Sequence, residues 1–155
     1  MKKIILLASG LLFVSNLYGE NMHKVTRVID GDTVVIDNKE KIRLIGVDTP
    51  ESVHPNKSVE YFAKEASAFT KQTCEGKVVK LEYDWQKYDK YGRTLAYVYL
   101  EDGTFINAEI VKQGYGFAYT KFPFKYMEEF KEYQRLAREE KRGLWKKEEK
   151  WNGMF

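Results

Sequence analysis

The first regular pattern along the chain is an alternation of apolar and polar residues from His23 to Val47, interrupted at Asp-Gly and Asp-Asn pairs. This alternation is typical of short β-strands that bury one face and are joined by tight turns. Similar stretches follow at Val78–Tyr83 and Leu95–Tyr99, the second closed by Glu101–Gly103. The pattern therefore predicts five strands, of which three are consecutive.

Helical spacing replaces the alternation in three other segments. The first is predicted to start after Ser58, which can cap it, and to end near Cys74 and Gly76. Its apolar face recurs at three- and four-residue steps: Val59, Phe62, Ala63, Ala66 and Phe69.

Two helices are predicted in the C-terminal half. Asn107–Gln113 is stopped by Gly114, and Lys125–Lys141 is ended by Gly143. The longer helix carries one stripe, composed of Tyr126, Phe130, Tyr133 and Ala137. The pair Leu144 and Trp145 is then expected to fold back onto the core.

These elements indicate an α+β fold, a five-stranded OB-type β-barrel with about three packed α-helices. A chain of 155 residues can bury one core of ordinary size, so a single domain is expected. OB-type barrels often bind oligonucleotides on one face, but the fold alone does not define a function.

The N-terminus has the layout of a secretory signal. Lys2 and Lys3 precede an apolar run, Ile4–Val14, which is followed by small and polar residues up to Gly19. The run is roughly half the length that a membrane-spanning helix needs, about 20 residues. We therefore expect a cleaved signal peptide at residues 1–19, a mature domain at 20–155, export to the periplasm or the medium, and no stable membrane association.

Composition adds two constraints. The chain has 26 basic and 23 acidic residues, so any attraction for phosphate depends on local concentration of charge. Its one cysteine, Cys74, excludes an internal disulfide and is expected to be buried in a helix.

The segment Ile29–Thr33 reads IDGDT and places two carboxylates around a glycine. Carboxylate oxygens at a turn are ligands for a hard cation such as Ca²⁺. Asp-Gly is also among the commonest hairpin pairs, and the spacing alone favours a plain hairpin.

The segment Arg43–Glu51 reads RLIGVDTPE and carries more chemistry. In phosphodiester hydrolysis, carboxylates hold a cation, a guanidinium neutralises phosphate oxygens, and a further carboxylate positions or deprotonates water. The alternative is a capped turn with Pro50 at a first helical position and Glu51 near the helix N-terminus. Spacing leaves the two interpretations even.

A second arginine follows in Asp89–Arg93, DKYGR, just before the fifth strand. Lys90 can meet phosphate and Tyr91 can stack on a base. An exposed basic turn would have the same sequence.

Four segments in the same order resemble the staphylococcal nuclease (thermonuclease) family. They are Ile29–Thr33, Arg43–Glu51, Glu65–Lys71 (EASAFTK) and Asp89–Tyr99 (DKYGRTLAYVY). The resemblance runs from about Lys24 to Trp145, so it covers nearly the whole predicted mature chain.

The resemblance implies that Ca²⁺ is bound by the side chains of Asp32 and Asp48 and by the carbonyl of Thr49. It further implies that Arg43 and Arg93 hold the scissile phosphate. The expected substrates are DNA and RNA, with unpaired regions favoured and products ending in 3′-phosphate.

For Glu51, the family implies a role in activating or positioning the attacking water. For Tyr119 it implies a contact with substrate, which the residue types already suggest for Lys90 and Tyr91. The chain departs from the family pattern at Lys121, where a second tyrosine is expected, so charge replaces an aromatic surface there and Phe122 is the nearest substitute.

Two other function classes remain open at this point. Some OB-type relatives are non-catalytic modules that bind nucleic acid or protein, and their usual mark is the loss of catalytic residues. Asp48 and Glu51 could also act as the acid and base of a glycan hydrolase, although two arginines favour phosphate over sugar. A monomer is expected in each case.

Overall fold

The computed structural model describes residues 22–51 and 60–150. The predicted signal peptide at 1–19, its cleavage site and the predicted cap Ser58 lie outside these ranges. Within them, no helix combines the length and the apolar character needed to cross a bilayer.

Five strands close into a barrel, which confirms the predicted count and the α+β class. They are β1 (Met22–Asp30), β2 (Thr33–Ile36), β3 (Glu40–Leu44), β5 (Val78–Glu82) and β6 (Thr94–Leu100), in the spatial order β1-β2-β3-β6-β5. Their inward side chains form one core that includes Val25, Ile42 and Leu81, each at most 1% exposed. The alternation seen in the sequence is therefore the alternation between this core and solvent.

The barrel closes through a parallel pairing between β3 and β6. Ile42 lies opposite Thr94, and Leu44 lies opposite Ala96. The other four pairings are antiparallel, and β1 is shared between two of them, with β5 along its first half and β2 along its second. This closure brings the ends of β3 and β6, which carry the two predicted arginine segments, side by side.

A small second sheet was not predicted from the sequence. It pairs β4 (Val47–Asp48) with β7 (Phe117–Ala118) in antiparallel register, so that Asp48 faces Phe117. Each strand has only two residues, which is too short to produce a recognisable alternation.

The three predicted helices are present with shifted ends: α1 (Ala63–Cys74), α2 (Ile106–Lys112) and α3 (Met127–Glu139). The predicted start of α1 after Ser58 is wrong, because Phe62 precedes its first turn with a left-handed backbone, φ 66°. Phe62 instead packs its ring on Tyr115, with centroids 5.5 Å apart. Cys74 is fully buried in α1 as expected, and burial raises the pKa of its thiol to about 12.

The chain after α3 folds back as predicted, in a 3₁₀ helix at Gly143–Lys150. Leu144 is fully buried and Trp145 is 4% exposed, both packed with Ala137 of α3. The Leu144 amide donates to the Gly114 carbonyl at 2.9 Å. A side chain at Gly114 or Gly143 would collide with the backbone opposite it, at 2.4 Å and 2.2 Å, which explains both glycines.

One buried amide fixes the turn that leads into β4. Asn107 of α2 accepts a hydrogen bond from the Val98 amide and donates to the carbonyls of Ile45 and Ala96, at 2.9, 3.0 and 3.1 Å. Asn107 thus holds both the Ile45-Gly46 turn and strand β6 of the barrel. The packing of the core therefore determines where Asp48 lies.

Candidate active site

Asp32 lies in the turn between β1 and β2 and is 8% exposed. Its Oδ1 accepts a hydrogen bond from the Thr33 hydroxyl at 2.9 Å, and its Oδ2 accepts one from the Thr49 amide at 3.0 Å. The segment Ile29–Thr33 is therefore a hairpin, as its alternative interpretation required. It also holds the Asp32 carboxylate in a fixed, nearly buried position.

Arg43, on β3, holds the two carboxylate segments together. Its Nη1 donates to the carbonyls of Leu44 and Val47 at 3.0 and 2.6 Å. Its Nη2 lies 3.1 Å from Asp32 Oδ2 and 3.3 Å from Asp48 Oδ1. With its side chain only 14% exposed, the guanidinium has one orientation, and both carboxylates converge on it.

Asp48, on β4, is the exposed partner of this group, with 52% of its side chain accessible. Desolvation raises the pKa of its carboxyl, and the guanidinium of Arg43 opposes this shift in part. The carboxylates of Asp32 and Glu51 raise the pKa further because they repel a second negative charge. Such a convergence of carboxylates favours an additional cation.

Thr49 is packed between two glycines. A Cβ at Gly31 would lie 2.7 Å from its hydroxyl oxygen, and a Cβ at Gly116 would lie 3.0 Å from its methyl. The Thr70 hydroxyl of α1 donates to the Gly31 carbonyl at 2.6 Å, which fixes the turn from below. Thr49 therefore presents its backbone beside Asp32 at a defined position.

The donor set at this position fits a hard cation. Asp32 and Asp48 supply carboxylate oxygens, and the buried Thr49 hydroxyl has no hydrogen-bond partner among the described residues. Oxygen-only donors suit Ca²⁺, which completes its shell with carbonyls and water. The same described residues contain no group of three or more His, Cys, Asp or Glu arranged to hold a metal.

Glu51 is bonded through its backbone to Glu60. Its amide donates to Glu60 Oε2 at 3.0 Å, and its carbonyl accepts from the Glu60 amide at 3.2 Å. Residues 49–51 adopt no helix, so a helix starting at Pro50 is not observed there. Glu51 is exposed to the solvent of the cleft described below.

Arg93, which directly precedes β6, is held differently, by an ion pair with Asp89 and by contact with the Tyr91 ring, whose centre lies 5.5 Å from the guanidinium. Its Nε donates to Asp89 Oδ2 at 2.6 Å. Asp89 Oδ1 accepts from the amides of Tyr91 and Arg93, both at 2.9 Å. Desolvation opposes ionisation, but the hydrogen bonds from Arg93 and Tyr91 outweigh it and hold the pKa of Asp89 below its usual value.

All ten residues predicted for the site line one cleft of about 670 Å³: Asp32, Arg43, Asp48, Thr49, Glu51, Lys90, Tyr91, Arg93, Tyr119 and Lys121. Lys90 and Tyr91 are exposed on its rim, with the ammonium of Lys90 4.9 Å from the Tyr91 ring centre. Basic side chains and carboxylates thus face the same space, although their individual roles remain predictions.

Sequence reasoning missed the residues that position this set. Asp89 orients Arg93, and Gly31, Gly116 and Thr70 confine Thr49 and its turn. It also missed Trp85, which lines the same cleft. Only Asp89 had a signal, since an Asp four residues before an Arg at a glycine turn can pair with it.

The barrel, its inserted helix and this cleft define a member of the staphylococcal nuclease homologue family. The chain matches that family over residues 41–147 and belongs to it.

Relatives among known proteins agree with the family. The chain is 45% identical to a thermonuclease of Staphylococcus hyicus over 81% of its own length and 76% of the relative's. It is 52% identical to a thermonuclease of Staphylococcus intermedius over 64% of its length and 60% of the relative's. It is 39% identical to endonuclease YncB of Bacillus subtilis (strain 168) over 78% of its length and 60% of the relative's.

Proposed function

We propose that this chain is a Ca²⁺-dependent nuclease that hydrolyses phosphodiester bonds of DNA and RNA. The observation that carries the proposal is the meeting of two arginines, Arg43 and Arg93, with the carboxylates of Asp32 and Asp48 in one cleft. The names of its relatives, two thermonucleases and an endonuclease, support the same activity.

In this mechanism, Arg43 and Arg93 donate hydrogen bonds to the non-bridging oxygens of the scissile phosphate. Negative charge grows on these oxygens as a fifth oxygen approaches phosphorus, so fixed cations stabilise the transition state more than the ground state. Arg43 is immobilised by four acceptors, and Arg93 by Asp89, so little reorganisation is needed during the reaction.

Glu51 is the third participant. It accepts a proton from the attacking water, or fixes the orientation of this water while solvent takes the proton. The water oxygen bonds to phosphorus, and the bond from phosphorus to the 5′ oxygen breaks. The leaving oxygen takes a proton from solvent, and the product strand ends in a 3′-phosphate. Exposure of Glu51 to the cleft supports this assignment.

Asp32, Asp48 and the carbonyl of Thr49 would hold the Ca²⁺. When bound, the ion would neutralise a phosphate oxygen and take over from Arg43 part of the charge compensation of both carboxylates. The oxygen-only donors and the unpartnered Thr49 hydroxyl support this part of the proposal.

The substrate contacts of the proposed enzyme come from the rim. Lys90 and Lys121 attract the phosphate backbone, while Tyr91 and Tyr119 contact the nucleotide, with single strands favoured because their bases are accessible. The N-terminal sequence pattern supports export to the periplasm or the medium, and we propose that the mature domain acts there as a monomer without stable membrane association.

The deciding experiment is an assay of the purified chain on single-stranded DNA, with Ca²⁺ or with chelator, beside the Arg43→Ala variant. We expect cleavage that requires both the ion and Arg43, with 3′-phosphate ends that resist extension until a phosphatase removes them. Calorimetry of Asp32→Ala and Asp48→Ala should show weaker Ca²⁺ binding. Tight binding of DNA by the parent chain without cleavage would instead indicate a non-catalytic OB-type module.

A further inference from the structure

Trp85 is the most conspicuous residue of the cleft that the proposed mechanism does not use. It lies in the loop between β5 and β6, and 68% of it is exposed. A tryptophan this accessible contributes little to a core, and leaving a large apolar ring in water is unfavourable. The cause of its exposure must therefore be sought on the side that faces the cleft.

The ring is exposed but held in place. Its Nε1 donates to the Pro123 carbonyl at 3.0 Å, and its backbone amide donates to Asp84 Oδ1 at 2.8 Å. Asp84 Oδ2 accepts from the Lys125 amide at 2.9 Å and from the hydroxyl of the buried Tyr97. Trp85 is thus anchored to the segment 123–125 and, through Asp84, to Tyr97 of β6. A rigid aromatic surface binds a ligand with a small loss of conformational entropy.

Aromatic exposure concentrates at this cleft. Among the described residues, six large hydrophobic side chains are exposed: Tyr61, Trp85, Tyr88, Tyr91, Phe122 and Leu136. Trp85, Tyr91 and Phe122 line the cleft, and Phe122 lies 6.2 Å from the Tyr119 ring. Phe122 belongs to the segment that carries Lys121 and Pro123, and Trp85 is hydrogen-bonded to that segment through Pro123. Aromatic surfaces and a cation are therefore joined in one hydrogen-bonded part of the cleft.

We propose that Trp85, with Phe122 in the same cleft, is a stacking platform for an unpaired nucleobase of the substrate strand, next to the scissile phosphate. This inference rests on the proposed function and adds a base subsite to it. The platform is planar and apolar, and one of its faces is in contact with water. Its ligand must therefore stack on a ring and carry a phosphate toward Lys121, and a nucleotide meets both requirements. A base inside a duplex is already stacked on its neighbours, so the platform selects single-stranded or fraying regions.

The test compares the parent chain with Trp85→Ala, Trp85→Phe and Tyr61→Ala. Tyr61→Ala also removes a partly exposed aromatic, but one outside the cleft. Substrates are single-stranded oligonucleotides, either intact or with one abasic position placed in turn on each side of the cleavage site. Thermal unfolding of each variant verifies that it is folded.

We expect Trp85→Ala to raise KM for the intact single strand by roughly tenfold, the loss typical of one stacked base, with kcat nearly unchanged. The abasic position that weakens the parent most should leave Trp85→Ala unaffected. Trp85→Phe keeps a ring but loses the bond to Pro123, so it should retain most of the affinity. If Trp85→Phe fails as badly as Trp85→Ala, or if the abasic penalty persists in Trp85→Ala, the platform is overturned.

Binding of the same oligonucleotides, followed by fluorescence anisotropy with chelator present, separates this inference from the proposed function. A parent that never cleaves but binds intact strands more tightly than Trp85→Ala does would retain the platform and reject the nuclease. A parent that cleaves with Ca²⁺ while Trp85→Ala matches it in KM and in binding would retain the nuclease and reject the platform.

Discussion

The two arginines of the cleft are placed by different means. Arg43 projects from a barrel strand, is 14% exposed, and contacts two carbonyls and two carboxylates. Arg93 ends a turn, is 31% exposed, and has Asp89 as its side-chain partner. One cation is thus part of the folded core, whereas the other is attached to its edge.

Because of this difference, removing one arginine should affect both stability and activity, whereas removing the other should affect mainly activity. Removal of Arg43 leaves Asp32 nearly buried without its cation, and an uncompensated buried charge is costly. Removal of Arg93 leaves Asp89 with its two backbone amides, so the turn retains most of its hydrogen bonds. The two variants should resemble each other in activity and differ in folding.

Arg43→Ala should have the largest effect. We expect turnover to fall about a thousandfold or more, as for other positioned cations in phosphoryl chemistry. The free energy of unfolding in chelator should fall by about 3 kcal/mol, the cost of breaking a buried pair. Urea denaturation measures this loss, and Arg43→Lys, which keeps the charge without the planar fork, should recover part of the stability but little turnover. Unchanged stability in Arg43→Ala would contradict the structural role assigned to this side chain.

Arg93→Ala should lower turnover by a similar factor, because it removes the second cation from the phosphate. Its free energy of unfolding should change by less than about 1 kcal/mol, since partly exposed ion pairs contribute little. The same urea titration, run beside Arg43→Ala, makes the comparison direct. Equal destabilisation of the two variants would remove the distinction between a core and an edge arginine.

Asp89→Asn should have an intermediate effect, because it loosens Arg93 without removing it. We expect a fall in turnover of roughly tenfold to a hundredfold, as for a misplaced catalytic group. The pKa of Asp89 is held below its usual value, so its stabilising contribution is present above that usual value and is lost as pH falls through the lowered pKa. The stability deficit of Asp89→Asn, measured by urea denaturation across pH, should therefore be present at neutral pH and shrink in acid; a constant deficit would refute it.

Gly31→Ala should have the smallest effect on turnover and a clear one on stability. Its methyl group would lie 2.7 Å from the Thr49 hydroxyl, and such crowding costs about 1–3 kcal/mol. Displacement of Thr49 should also weaken Ca²⁺ binding in calorimetry. Gly103→Ala is the matched control, because that glycine has φ +86° but no atom within 4 Å of the added carbon. Weakened Ca²⁺ binding in the control as well would show that general destabilisation, rather than Thr49, is the cause.

The barrel could be predicted from the sequence because its strands are long enough to show an alternation, and because the side chains on one face of each strand form the core. The sequence did not predict β4 and β7, since two-residue strands leave no pattern, nor the late start of α1, where Phe62 adopts a left-handed backbone to pack on Tyr115. Short motifs, once recognised as a family resemblance, supplied the site residues, and the fold brings all of them to one cleft.

The supporting residues were harder to predict because their effects depend on long-range approach. The bond from Thr70 to Gly31 and the crowding of Thr49 by Gly116 join segments that are far apart in the chain. The place of Trp85 in the cleft was not predicted for a related reason. An isolated tryptophan in a polar loop resembles an ordinary surface residue until its hydrogen bond to Pro123 is known.

The contact between the 3₁₀ helix and β7 has a consequence for folding during synthesis. Trp145 packs edge-on against Phe117, 5.3 Å between ring centres, and Phe117 is the strand partner of Asp48. Because a chain is made from its N-terminus, the wall that supports Asp48 receives its cover only after residue 145 has emerged. We therefore expect this domain to remain incompletely folded in the nascent chain, and its nuclease activity to be absent, until residue 145 has left the ribosome.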